Sequence, residues 1–172
     1  RGSRELIKNR QKIYLPFIEP LKIFYPEPVV VDLGCGRGEW LELLKDDDWR
    51  GIGVDTNSSM VEYCKEAGLV VFQQDGAAYL RSLPSESVSV VSGFHIAEHL
   101  PFNLLIELIK EAHRVLVPGG FLILETPNPE NIIVGTTNFY LDPTHLHPIP
   151  APLLSFIPEY IGFQRNKILR LQ

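Results

Sequence analysis

The sequence predicts an α/β fold, a mostly parallel sheet with helices on both faces, from three features. An apolar run, Val29-Val30-Val31, ends in Asp32 and a glycine-rich turn, after which helical spacing resumes at Glu39. Strand-like and helix-like segments then alternate as far as Thr126, which is the pattern of right-handed crossovers in a parallel sheet. Residues 102–116 carry apolar side chains at 104, 105, 108, 109, 112, 115 and 116, one wide stripe to be buried against that sheet.

The elements follow in order. Apolar residues at Leu6, Ile7, Ile13, Tyr14 and Phe17 predict a short helix within residues 5–18, and Pro16, Pro20, Pro26 and Pro28 a punctuated linker after it. The first strand starts at Val29, and the helix after its turn runs from Glu39 through Leu44. Residues 51–55 read as a second strand ending in Asp55; residues 56–59 cap a helix over 60–67 that Gly68 closes. A third strand spans 69–73, a helix begins at Ala77, and a fourth strand spans 88–92. The striped helix over 102–116 stops at Pro118-Gly119-Gly120, before a fifth strand over 121–126. Residues 128–150 read as a long loop, 151–160 as a helix and 163–171 as a sixth strand. Loops of such length in compact domains are usually functional. Residues 1–28 thus form an N-terminal helix with a Pro-rich lead-in, and residues 29–172 a single domain. The chain opens without Met, so a piece of a longer protein is expected.

Composition bounds the function. The 172 residues suffice for one core, and 45% apolar with 22% charged residues is ordinary for a globule. A net charge of −5 and a pI near 5.5 argue against a nucleic-acid partner, which calls for a basic face. Cys35 and Cys64 form no metal spacing and no disulfide framework, which fits a reducing, cytoplasmic setting. No apolar run is long enough to span a membrane and no signal peptide is visible. Any membrane association, at its inner face, would be peripheral and through missing domains.

Chemistry concentrates in two places. Gly34, Gly36 and Gly38 follow a buried strand and open a helix, where backbone can approach a ligand closely. The spacing is GxGxG, and the Lys-Ser/Thr pair of a phosphate-binding P-loop is absent. Asp55, at the end of the second strand, can accept both hydroxyls of a ribose, in an NAD enzyme as well as in others. The second place is histidine-rich. In a helix, His95, Glu98 and His99 would share one face, and His145 and His147 lie in the long loop. The group reads as a divalent-metal site, as a metal-free general base, or as a capping and packing cluster. His113 sits on the striped helix and reads as structural.

Asp32, Gly34, Gly36 and Gly38 match, position for position, the first motif of class I S-adenosylmethionine (SAM) dependent methyltransferases, which the chain resembles over residues 29–126. The run RVLVPGGFLILETPNP is similar to the late motif of the same family. The resemblance implies a Rossmann-like methyltransferase fold, SAM as cofactor and S-adenosylhomocysteine as product. Asp32, Gly34, Gly36, Gly38, Asp55, Thr56 and His95 would then face the cofactor. Asp75 would meet the adenine amino group, the Gly76 N–H the ring, and Arg10 on an N-terminal helix across the mouth the carboxylate of SAM. Some O-methyltransferases carry E-x-x-E-H plus a later histidine as a metal site. This chain is similar, with His95 in place of the first Glu, so His95, Glu98, His99 and His145 are the candidate catalytic and metal-binding residues. DLGCGRGEWLELL, FHIAEHL, ETPNPEN and NFYLDPTHLHP together resemble methyltransferase domains of bacterial surface-polysaccharide assembly. That implies a glycan hydroxyl, at an O-antigen chain end, as acceptor. A small-molecule or quinone-like hydroxyl acceptor and a non-catalytic recruitment module are the alternatives; an NAD-dependent reductase fits the motifs less well.

Overall fold

The computed structural model describes residues 2–171. The chain enters through three short helices, α1 (Arg4–Gln11), α2 (Leu15–Ile18) and α3 (Leu21–Phe24), with a 3₁₀ turn at Lys12–Tyr14. The expected linker is therefore largely helical. Pro16 occupies the first turn of α2, where a missing N–H and a preset φ do no harm. Strands and helices then alternate: β1 (Val29–Leu33), α4 (Glu39–Asp46), β2 (Arg50–Asp55), α5 (Ser58–Glu66), β3 (Val71–Gln73), α6 (Gly76–Ser82) and β4 (Val88–Phe94). A 3₁₀ turn at Ala97–His99 leads to α7 (Phe102–Val115) and β5 (Leu116–Glu125). The last elements are α8 (Ile132–Thr136), a 3₁₀ turn at Asn138–Leu141 and α9 (Ala151–Ile161).

All five strands pair in parallel, in the order β3-β2-β1-β4-β5. The chain works outward from β1 to β3 and then crosses back to β4 on the other side of β1. A switch point therefore lies between β1 and β4, and in open α/β sheets ligands bind there, beyond the carboxyl ends of the strands.

Both faces of the sheet are covered, which explains the continuous apolar strands. One core joins Val30 and Val90 to Trp40, Leu41 and Leu44 of α4, Cys64 of α5 and Tyr14 and Ile18 of the N-terminal segment. The other joins Val31, Leu33 and Val91 to Leu80 of α6 and Leu108, Ala112 and Val115 of α7. Most of the stripe on α7 is used: Leu105, Leu108, Ile109, Ala112 and Val115 are buried, while Leu104 is left exposed. Each such large side chain contributes roughly 1.5–3 kcal/mol.

Three further expectations are corrected. The fifth strand begins at Leu116 and passes through Pro118-Gly119-Gly120, with a register irregularity between Val88 and Val90. Gly119, at φ +76°, and the loose pairing accommodate residues that would end a helix. The segment 128–150 is not structureless: Asn131 caps α8, its side chain accepting from the N–H groups of Ile133 and Val134. Among the described residues no sixth strand forms. The N–H of Phe163 closes α9 on Pro158, the Phe163 ring packs edge-on against His113, and Arg165 at φ +57° breaks the extended run. Residues 164–171 are exposed as a result.

Candidate active site at the sheet switch point

The glycine loop is built to hold its shape. The N–H groups of Gly34 and Cys35 both donate to the Val54 carbonyl, at 2.8 and 3.2 Å. Asp55 accepts the Gly36 N–H on Oδ2 and the Asn57 N–H on Oδ1, each at 2.8 Å. The Cys64 thiol donates to the Gly36 carbonyl at 3.3 Å. Gly34 is exposed at φ +64°, and a Cβ there would run into the Ile96 side chain across the crevice. Asp32 is 2% exposed and accepts the Ser92 hydroxyl at 2.7 Å. It ties β1 to β4 under the loop, and burial pushes its carboxyl up to about 7.

This cradle suits SAM better than a dinucleotide. The first turn of α4 carries Glu39 and Glu42, and Gly38 supplies no capping side chain. Carboxylates at a helix N-terminus occupy the positive end that a pyrophosphate would need. Asp55 is half-buried, and each of its oxygens, already accepting one backbone N–H, can accept a further hydrogen bond. Asp75 is exposed, caps α6 by accepting the Ala78 N–H on Oδ1 at 2.8 Å, and has Oδ2 to spare. Gly76 packs on Leu33, while Thr56 is exposed with its carbonyl accepting from Gln73. From the N-terminal segment, Gln11 is buried with Oε1 lacking a partner, an acceptor available to a ligand ammonium. Arg10 is exposed, and its charge bears on Glu125. The donors, acceptors and open backbone present fit the amino-acid, ribose and adenine parts of SAM.

The histidines divide differently from the sequence pattern. His95 takes a left-handed backbone, φ +58°, and only Ala97–His99 form a 3₁₀ turn, so the segment is not α-helical. His95 and His99 consequently do not share a face. The His95 N–H donates to the Glu125 carbonyl at 2.8 Å. Its ring lies between two carboxylates, Nδ1 at 3.2 Å from Glu98 and Nε2 at 3.2 Å from Glu125. Bonds to Glu125 and then Glu98 outweigh partial burial and raise the imidazole to about 9. A ring donating from both nitrogens has no lone pair for a metal or for a proton.

Burial pushes both carboxyls up, but the His95 bonds, with Thr126 on Glu98 and the Tyr14 hydroxyl on Glu125, hold them below the usual range. Burial and Glu125 together drive Tyr14 far above its ordinary value. The sequence pattern did not reveal Glu125, although it is an acid ending a strand, as Asp55 is. His99 and His145 come together instead, ring centroids 4.7 Å apart. His145 Nε2 lies 4.0 Å from Glu98 Oε1. His147 is exposed.

Sheet order, switch point and glycine cradle are those of the Rossmann-like SAM-dependent methyltransferase class. The chain belongs to the methyltransferase domain family, whose profile matches residues 4–164. It is similar to a SAM-dependent methyltransferase of Archaeoglobus fulgidus, with 39% identity and a TM-score of 0.85 over 95% of this chain and 71% of that one. A probable SAM-dependent methyltransferase of Mycolicibacterium smegmatis is 32% identical over 78% of this chain and 51% of its own length. A mouse tRNA (carboxymethyluridine(34)-5-O)-methyltransferase is 32% identical over 60% of this chain and 15% of its own length. The chain spans about half the length of the probable SAM-dependent methyltransferases it matches.

Proposed function

We propose that the chain transfers a methyl group from SAM to a hydroxyl, and that the hydroxyl belongs to a glycan. SAM, when bound, supplies an electrophilic methyl on a sulfonium that is its own leaving group. The observation that carries the reading is the glycine cradle at the switch point, with Asp55 and Asp75 at the ends of neighbouring strands. Asp55 accepts from the ribose hydroxyls, Asp75 from the adenine amino group, and the Gly34–Gly38 backbone lies along the amino-acid part. Asp32 acts through the loop, by bracing β1 on β4.

What remains for the protein is to align the acceptor oxygen and take one proton. His99 and His145 are fitted to that. His145 Nδ1 donates to the Phe139 carbonyl at 2.6 Å, and His99 Nδ1 donates to the Thr144 carbonyl at 3.2 Å. In both rings Nε2 is left as the basic atom. Glu98, wholly buried, anchors the group. The loop that carries His145 also carries an exposed Tyr140, a platform of the kind a sugar stacks on, and a net charge of −5 fits a neutral glycan better than a polyanion.

Calorimetric titration tests the cofactor half. Wild type is expected to bind SAM and not NADH, and Gly34→Ala to lose SAM binding with its circular dichroism intact, because of Ile96 and the +64° φ. Undiminished binding by Gly34→Ala would remove the loop as the site. For the acceptor half, transfer of labelled methyl is measured on surface oligosaccharides and on quinols; labelling of quinols alone would overturn the glycan reading.

A further inference from the structure

We infer that Tyr14 and Glu125 are positioning residues, which tie the N-terminal segment on the cofactor side to Glu98 and His145 on the acceptor side, so that cofactor occupancy is felt at the base. The inference rests on the methyltransferase reading, which by itself gives neither residue a task. An unbroken run of polar contacts joins the two sides. The Tyr14 hydroxyl donates to Glu125 Oε2 at 2.5 Å, and Glu125 Oε1 lies 3.2 Å from His95 Nε2. His95 Nδ1 stands 3.2 Å from Glu98 Oε1, the oxygen that His145 Nε2 approaches at 4.0 Å. Main chain runs alongside: the His95 N–H donates to the Glu125 carbonyl and the Leu146 N–H to the Glu98 carbonyl, each at 2.8 Å. Tyr14 and Glu98 are both buried, where a bond once lost is not replaced by one to water.

No member of the run can slip by itself. Each carboxylate divides its oxygens between two donors, Tyr14 and His95 on Glu125, His95 and Thr126 on Glu98. With a carboxylate at either nitrogen, the His95 ring cannot turn without giving up two charge-assisted bonds. Those bonds also hold His95 at φ +58°, a backbone that a residue with a Cβ keeps only where its surroundings impose it. The next residue, Ile96, stands against Gly34, so the turn meets the glycine loop at one end and carries Glu98 at the other.

The N-terminal segment supplies the input. Arg10 and Gln11 end α1, one turn ahead of Tyr14. Gln11 is buried with Oε1 unpartnered, and the Arg10 charge bears on Glu125. The ammonium and carboxylate of SAM would engage those two groups, drawing the Arg10 charge from Glu125 as the segment is seated. A ligand shifts a network only where its contacts differ between two arrangements, and this exchange of partners is such a difference. The coupling is reciprocal, so a well-placed base also favours the cofactor.

The test follows the histidine ring nitrogens, isotopically labelled, by NMR with and without saturating S-adenosylhomocysteine. In wild type, saturation is expected to shift the ring resonances of His145 and to leave those of the exposed His147 in place. Tyr14→Phe keeps the ring packing, and Glu125→Gln keeps an acceptor for Tyr14. Both are expected to bind S-adenosylhomocysteine by calorimetry and to lose the His145 shift. A purely structural pair would lower stability in both variants without touching that difference. Folding is checked by circular dichroism, and Glu125→Gln carries the test if Tyr14→Phe unfolds. The full His145 shift in a folded variant overturns the link, since the cofactor then acts on the ring directly. Binding by wild type with His145 unmoved also overturns it and leaves the methyltransferase reading standing. Absence of binding by wild type removes that reading and the link with it.

Discussion

Asp32 is the residue whose role differs most between its pattern and its place. In the motif it heads the glycine loop; in the fold it is buried against Ser92. Burial, with the charges of Asp55 and Glu39, lifts its carboxyl to about 7, against 3.8 for a free side chain. The folded state therefore holds the Asp32 proton after the unfolded state has lost it. Linkage then makes this site most stabilising below about pH 4 and progressively less so as pH rises toward 7. Asparagine keeps the acceptor for Ser92 and cannot ionise. Asp32→Asn is thus expected to gain on wild type between pH 4 and pH 8, by up to the order of 4 kcal/mol. Denaturant unfolding across that range measures it, and parallel pH profiles would refute it. His95 teaches the same lesson in another form. Its spacing to His99 suggested a shared ligand face, but a left-handed backbone turned it toward Glu125.

At the scale of elements, the N-terminal helices decide how closed the site is. Arg4 and Lys8 of α1 meet Glu42 and Asp46 of α4, pairs that contribute little individually at a surface. The stronger tie is Tyr14, buried between Trp40 and Phe94, whose hydroxyl donates to Glu125 at 2.5 Å. Tyr14→Phe preserves the ring packing and removes one hydrogen bond to a carboxylate, a loss of roughly 1.5–3 kcal/mol. A lower denaturation midpoint by that amount is expected; an unchanged midpoint would mean that apolar packing alone holds the segment. The succession of the five strands along the chain, and α7, were legible because hydrophobic period and turn residues are local signals; the spatial order of the strands was not. Residues 163–171 were misread as a strand because alternation says nothing of whether a partner edge is offered.

For the molecule as a whole, binding at the switch point should couple to global stability, since the loop joins β1, β2 and α5. SAM at a hundred times its Kd is expected to stabilise the fold by about 2.7 kcal/mol, which for this length raises Tm by roughly 5–11 °C. NADH at equal concentration is expected to leave Tm unchanged. A flat response to both would place the cofactor elsewhere or make its binding depend on sequence outside this chain. Local chemistry sufficed for the α/β architecture and for the glycine turn with the strand-end Asp55 that holds it, because strand, turn and cap signals lie within a few residues of one another. Tertiary structure decided which histidines meet. His99 and His145 are 46 positions apart, and it is the carbonyls of Phe139 and Thr144, reached only by folding the loop onto Glu98, that orient them.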